Sequence, residues 1–325
     1  MTAPPLIPGV NAIMIGASAA APHIGVFKGA LGWNVTGQTR LPRDFCRRVW
    51  DIDAVAEVTV LSPPGVSHGA VHVLVFPEIA VPIATEPPPR SYRLRHLNMY
   101  VRDMAEARRR VEAAGAAWKA EVKFDIAALD GTVQTVHQAR VGLADGAGLV
   151  FVIPSIARWT ATWSKSPAAF ATEITSMVAG IPDVDASKAF WGPDGLGLEI
   201  RYDITSANAK LNELSGLEPD AVTRLAFGWG QSTARVELLG RGPDAYAHIP
   251  SIDLMRTRRP GRSTAEVGWV VEVAAFEAAL QRMIEHGGRI LCAPIPGDGV
   301  LYRGRVATVE APEGSLLTVV EALPH

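Results

Sequence analysis

One unit recurs four times along this chain, and no other feature restricts its fold as strongly. The stretch 176–191 reads SMVAGIPDVDASKAFW. Its apolar residues Met177, Ala179 and Ile181 alternate, as on one face of a strand. PDVD then supplies a turn and an N-cap signal, and ASKAFW starts a helix. GPDGLGLEIRYD follows as a Gly-rich turn and a second strand, and RLAFGWG and ARVELLG read as two more. The unit is β-α-β-β-β. The same grammar is present in HLNMYVRDMAEARRRVEAAGAAWKAEV with the later strands VHQARVGLA and GLVFVIP. It is present again in GWVVEVAAFEAALQRMIEHGGRILCAP with YRGRVATVEAP and SLLTVVEAL. A weaker copy, AIMIGASAAAPHIGVFKGALGWNV with EVTVLSPP and AVHVLVFPE, opens the chain. Aligning the four first strands puts Ala12, His96, Ser176 and Gly268 at one position, at a near-constant spacing of about 80 to 90 residues. Modules one and two then occupy 1–154, a linker 155–173 (SIARWTATWSKSPAAFATE), and modules three and four 174–325.

Composition narrows the setting. With 325 residues and 48% hydrophobic content the chain can bury one large core or two ordinary ones. A net charge of −2 gives no global reason to expect a nucleic-acid or membrane partner. No apolar run reaches the length of a spanning helix. The N-terminus lacks a basic region before its apolar residues, which prolines and glycines interrupt, so it reads as mature protein. Cys46 and Cys292 have no metal-type spacing and read as free thiols of a cytoplasmic protein.

In its module grammar the chain resembles the vicinal oxygen chelate superfamily, which includes glyoxalase I, bleomycin-resistance proteins, methylmalonyl-CoA epimerase and extradiol dioxygenases. The resemblance covers nearly the whole chain. It implies an α+β fold in which four βαβββ modules pair into two cup-shaped mixed β-sheets with helices outside. It also implies metal ligands at the first residue of strand one and near the middle of strand four. Modules could pair one with two and three with four, or one with four and two with three.

Strand periodicity assigns faces. In module two, Leu97, Met99 and Val101 belong under the helix, and His96, Asn98 and Tyr100 face the cup. In the fourth strand of module three, Arg235 and Glu237 face the cup, and in module one His72 does. A divalent Fe, Mn, Zn or Ni site needs imidazole and carboxylate donors with open positions for substrate oxygens. His96, Glu237 and His72 are the candidate ligands, and His137 could add a nitrogen. Each also has a plainer reading as a hydrogen-bonded packing residue or, for Glu237 beside Arg235, an ion pair. The extradiol pattern expects ligands where this chain has Ser176, Gly268 and Thr318. The expected cofactor is therefore one divalent metal or none.

The reading that follows is a small-molecule enzyme, a dioxygenase, lyase or isomerase acting on an aromatic or oxygen-rich substrate with a reduced or absent metal site. His96, Tyr100 and Glu237 are its catalytic candidates, and Asn98, Ser176, Arg235 and Trp229 its substrate-binding candidates. The alternative is a metal-free protein that binds or sequesters a small molecule. A homo-oligomer is compatible with either. The basic stretch RTRRPGR at 256–262 reads as a solvated loop or an anion clamp. No P-loop, dinucleotide fingerprint or nucleophile elbow is present.

Overall fold

A computed structural model describes residues 6–78, 93–127, 132–154, 160–230, 235–241 and 267–323. The RTRRPGR stretch lies outside them. Among the described residues, sixteen strands form two eight-stranded sheets. Module one supplies β1 (Ala12–Ala17), β2 (Asn34–Leu41), β3 (Ala56–Ser62) and β4 (Ala70–Val75). Module two supplies β5 (Arg93–Tyr100), β6 (Ala117–Ala127), β7 (Val133–Gly142) and β8 (Gly148–Pro154). Module three supplies β9 (Ser176–Ile181), β10 (Glu199–Ser206), β11 (Thr223–Trp229) and β12 (Arg235–Arg241). Module four supplies β13 (Val267–Val273), β14 (Arg289–Pro296), β15 (Arg305–Glu310) and β16 (Leu316–Glu321).

The strand orders are β14-β15-β16-β13-β1-β4-β3-β2 and β10-β11-β12-β9-β5-β8-β7-β6. Modules therefore pair one with four and two with three, so modules one and two fall in different sheets, as do modules three and four. The first strands meet antiparallel at each centre. His96 stands opposite Val178 and Asn98 opposite Ser176 in one sheet; Ala12 stands opposite Val270 and Met14 opposite Gly268 in the other. Exchanging the two modules of a pair maps each relation onto the other. The four aligned positions are thus equivalent by pseudo-twofold symmetry.

Local chemistry agrees with the sequence. Asp183 caps the helix Val184–Trp191 by accepting from the Ala186 amide at 3.0 Å, and Asp103 caps Met104–Ala113 by accepting from the Glu106 amide at 2.7 Å. These helices, with Phe276–Glu285 of module four, cover the convex faces of the sheets. One continuous core joins both sheets there and contains Ile13, Val71, Leu97, Met99, Met177, Trp191 and Trp269. Trp191 packs on Trp269 at 4.9 Å between ring centres and donates to Glu313 Oε1 at 3.0 Å. Trp33 donates across to the Thr172 carbonyl at 3.1 Å.

Two more helices sit inside the cups. Arg43–Trp50, between β2 and β3, packs on β14 and β15 of module four. Ala209–Ser215, between β10 and β11, packs on β6 and β7 of module two. Each therefore reaches from its own module over the partner's half of the sheet. Among the described residues, no helix is long and apolar enough to cross a membrane.

Candidate functional site

The two concave faces differ. In the cup of modules one and four, Phe45, Cys46, Val49 and Trp50 of the helix Arg43–Trp50 join Ala12, Met14, Leu74, Tyr302 and Val306 in a closed apolar cluster. Trp50 Nε1 donates to Thr318 Oγ1 at 3.2 Å, and the Tyr302 hydroxyl to Met14 Sδ at 3.6 Å. His72 lies within this filling. Burial without a compensating charge pulls its imidazole down to about 4. Burial also pushes the Cys46 thiol up to about 12, which leaves it unreactive.

The cup of modules two and three is hollow. A cavity of about 150 Å³ opens over its floor. An aromatic wall is formed by Phe124 and the ladder Tyr202, Phe227 and Trp229, whose successive ring centres are 4.9 and 5.6 Å apart. Leu211 and Leu214 of the helix Ala209–Ser215 form the lid. Asn208 caps that helix by accepting from the Lys210 and Leu211 amides, and Gly216, at φ 68°, ends it.

The floor is polar because the sheet register puts polar residues side by side on three adjacent strands. Asn98, Ser176 and Arg235 form one row across β5, β9 and β12, and His96, Val178 and Glu237 form the next. Asn98 Nδ2 donates to Ser176 Oγ at 3.0 Å and to Glu237 Oε1 at 3.3 Å. Arg235 Nη2 donates to the Tyr100 hydroxyl at 3.3 Å and stands 3.9 Å from Glu237 Oε1. The guanidinium also lies 4.6 Å over the Trp229 ring. Burial pushes the Glu237 carboxyl up, opposed in part by Arg235 and by hydrogen bonds from Ser176 and Asn98. Burial works against the Arg235 charge, but Tyr100 and Glu237 outweigh it and raise its pKa. Asn98 is only 6% exposed, and its Oδ1 has no hydrogen-bond partner among the described residues. That leaves an acceptor on the floor which a ligand O–H or N–H can meet.

The structure thus brings together His96, Asn98, Tyr100, Ser176, Trp229, Arg235 and Glu237. It does not bring His72 to them, because the pairing of modules puts His72 in the other cup. His137 bonds Glu121 at 2.7 Å and does not line the cavity. Sequence reasoning missed the helix Ala209–Ser215, although Asn208, the apolar pair Leu211 and Leu214, and Gly216 spell a capped amphipathic turn. It also missed Phe124, Tyr202 and Phe227, whose positions over the cavity depend on sheet curvature.

The register tests the metal that the resemblance implies. Strand-four residues beside the third residue of strand one are His72 opposite Met14, Val150 opposite Asn98, Glu237 opposite Val178 and Thr318 opposite Val270. With the strand-one positions, the hollow cup offers His96, Val150, Ser176 and Glu237. The filled cup offers Ala12, His72, Gly268 and Thr318. The hollow cup thus holds two strong donors, and one of them, Glu237, already has a guanidinium beside it. Catalytic zinc sites use three protein donors, and a fixed cation repels another. Among the described residues no group of three or more His, Cys, Asp or Glu is placed to hold a metal ion. The donor set of this cup does not fit a divalent metal.

No family model matches the chain, and no curated protein is similar to it in sequence. Solved structures are similar in fold. Glyoxalase I from Zea mays superposes with a TM-score of 0.60 at 12% identity, over 96% of this chain and 92% of that one. A candidate dioxygenase from Bacillus subtilis superposes with a TM-score of 0.62 at 12% identity, over 99% and 87%. With paired βαβββ modules, concave sheets and these two structural neighbours, the chain has the fold of the vicinal oxygen chelate superfamily.

Proposed function

We propose that the protein is a metal-independent enzyme that moves a proton on a small aromatic or oxygen-rich molecule held in the cup of modules two and three. The observation that supports it is the network of Glu237, Arg235, Tyr100, Asn98 and Ser176 at the floor of a cavity with aromatic and aliphatic walls. Burial that raises the pKa of the Glu237 carboxyl also makes its carboxylate a stronger base, which suits it to take and return a proton. Glu237 removes a proton from the carbon beside a substrate carbonyl. The negative charge that develops on the oxygen meets Arg235 and the Tyr100 hydroxyl, a role that the metal would otherwise fill. Where the deprotonated carbon bears a hydroxyl, the proton of that hydroxyl passes to the charged oxygen and Glu237 returns its own proton to the former carbonyl carbon, so that carbonyl and hydroxyl exchange places with no net change in oxidation state. Asn98 orients a second substrate oxygen, and the ladder of Tyr202, Phe227 and Trp229 stacks on the ring.

The test is solvent deuterium exchange into aryl α-hydroxyketones, read by mass spectrometry. Wild type is expected to catalyse exchange, and Glu237→Gln to lose roughly a hundredfold of the rate or more. Quenching of tryptophan fluorescence by the same compounds without any exchange would instead identify a binding protein, the reading that the apolar lining favours. Metal analysis of protein purified without chelator is expected to return well below one metal per chain. A stoichiometric metal that is lost in His96→Ala would overturn the metal-independent reading.

A further inference from the structure

The helix Ala209–Ser215 turns a partly polar face to the cavity it covers. Asn208, Leu211, Asn212 and Ser215 recur at helical spacing, and all of them line the cavity. Ala209, Lys210 and Glu213 are exposed on the other side. Leucine or alanine would suit a buried position on such a short helix, since asparagine is a weak helix former in a helix interior. Position 212, in the middle of the helix, is nevertheless asparagine.

Its amide has a structural task. Asn212 Nδ2 donates to the Pro219 carbonyl at 3.0 Å and to the Ala221 carbonyl at 2.8 Å, which ties the chain ahead of β11 back onto the helix. Those two bonds use both hydrogens of the amide. They also fix the way it faces, because a flipped amide would set its oxygen against two carbonyls. Oδ1 is left over. Asn212 is 1% exposed, and Oδ1 has no hydrogen-bond partner among the described residues. A buried acceptor without a partner is costly, and a ligand that brings a donor removes that cost. The floor of the same cavity repeats the pattern. There Asn98 Oδ1 is an acceptor, and Arg235 Nε a donor, without a partner among the described residues.

We propose that Asn212 is a specificity-determining residue, which accepts a hydrogen bond from a hydroxyl or amino group on the ring of the ligand. The ligand is then a hydroxyaryl or aminoaryl α-hydroxyketone. Its carbonyl meets Arg235, its α-hydroxyl donates to Asn98 Oδ1, and its ring substituent donates to Asn212 Oδ1. This rests on the reading that the cavity holds an aromatic molecule with its oxygens at the floor. It adds the ring substituent that the lid selects.

Titration calorimetry of the full chain tests it, with aryl α-hydroxyketones that carry hydroxyl, amino, fluorine or hydrogen at the meta or the para position of the ring. Fluorine is close to hydroxyl in size and donates no hydrogen bond. At one of these positions the hydroxyl and amino compounds should bind roughly tenfold tighter than the fluoro compound. That preference should disappear in Asn212→Leu. A purely structural role of Asn212 would weaken all the compounds alike and leave the preference unchanged. Should the leucine variant fail to fold, Asn212→Ser takes its place, since its hydroxyl can still donate to a loop carbonyl but ends one bond short of Oδ1. Equal binding of hydroxyl and fluoro compounds to wild type at both positions overturns the proposal. A preference that the folded variant retains also overturns it, because the ring donor then meets another acceptor. If wild type exchanges deuterium into these compounds without the preference, the role of Asn212 falls and the proton-transfer reading stands. A preference that depends on Asn212, with no exchange, supports the role of Asn212 and makes the protein a binding protein. Absence of both binding and exchange removes both readings.

Discussion

The two cups have the same strands in the same relative order, yet one is full and the other is hollow. The difference lies in one helix of each pair. In the filled cup, Arg43–Trp50 turns Phe45, Cys46, Val49 and Trp50 inward, and Tyr302 meets them from module four. In the hollow cup, Ala209–Ser215 presents the smaller Leu211, Asn212, Leu214 and Ser215. Large side chains consume one concave face, while small ones leave the other open under a lid. The titratable residues follow. His72 is surrounded by packing that cannot stabilise a charge, whereas Glu237 keeps Arg235, Asn98 and Ser176 as partners. A duplicated architecture thus separates into a half with a packed concave face and a half that keeps a cavity.

This contrast can be broken from either side. The largest effect is expected for Trp50→Ala, which empties a 2% exposed indole and its bond to Thr318 from the filled cup. Urea unfolding should show a loss of about 3 to 5 kcal/mol, and a loss below 1 kcal/mol would mean that the cup is not a structural plug.

The next effect is pH-dependent. Because burial lowers His72 from 6.5 to about 4, the unfolded chain takes up the proton first as the medium is acidified. The stability that this group contributes is intact above pH 6.5 and is lost between 6.5 and about 4. It amounts to about 3 kcal/mol. His72→Leu should therefore show a flatter stability profile over that window than wild type.

Leu214→Ala tests the hollow cup. Leu214 is 2% exposed but already borders the cavity, so the cost should fall near the low end for such changes, about 2 kcal/mol. The same substitution should weaken binding of aryl α-hydroxyketones, because it opens the lid.

The smallest stability effect is expected for Glu237→Gln. Glu237 has a raised folded pKa, so its contribution is present below the unfolded carboxyl pKa and is lost as pH rises through the folded one. The glutamine variant should match wild type at pH 4 and gain on it towards neutrality. An advantage confined to acid pH would reverse the assignment of Glu237 as a carboxyl held up by burial.

Much of the fold was legible because strands and helices announce themselves locally. Leu97, Met99 and Val101 were assigned to the helix side by alternation alone, and they lie in the shared core. The alignment of Ala12, His96, Ser176 and Gly268 agrees with the pseudo-twofold register. His72 was grouped with His96 and Glu237 because all three are strand residues facing a cup. Which cup depends on contacts between modules far apart in sequence. The short helix Ala209–Ser215 was missed, since seven residues carry a weak periodic signal among loop residues.

The sequence by itself determined the repeat, the alternation of each strand and the polar set on β5 and β12, because these follow from spacing along one segment. Only the tertiary structure decided that modules two and three share a sheet, that Asn98, Ser176 and Arg235 form one row, and that the other cup is closed by tryptophan and tyrosine. Those outcomes depend on which edges pair and on how much volume faces each concave surface. Both are non-local properties, fixed by the burial of apolar surface across the whole chain.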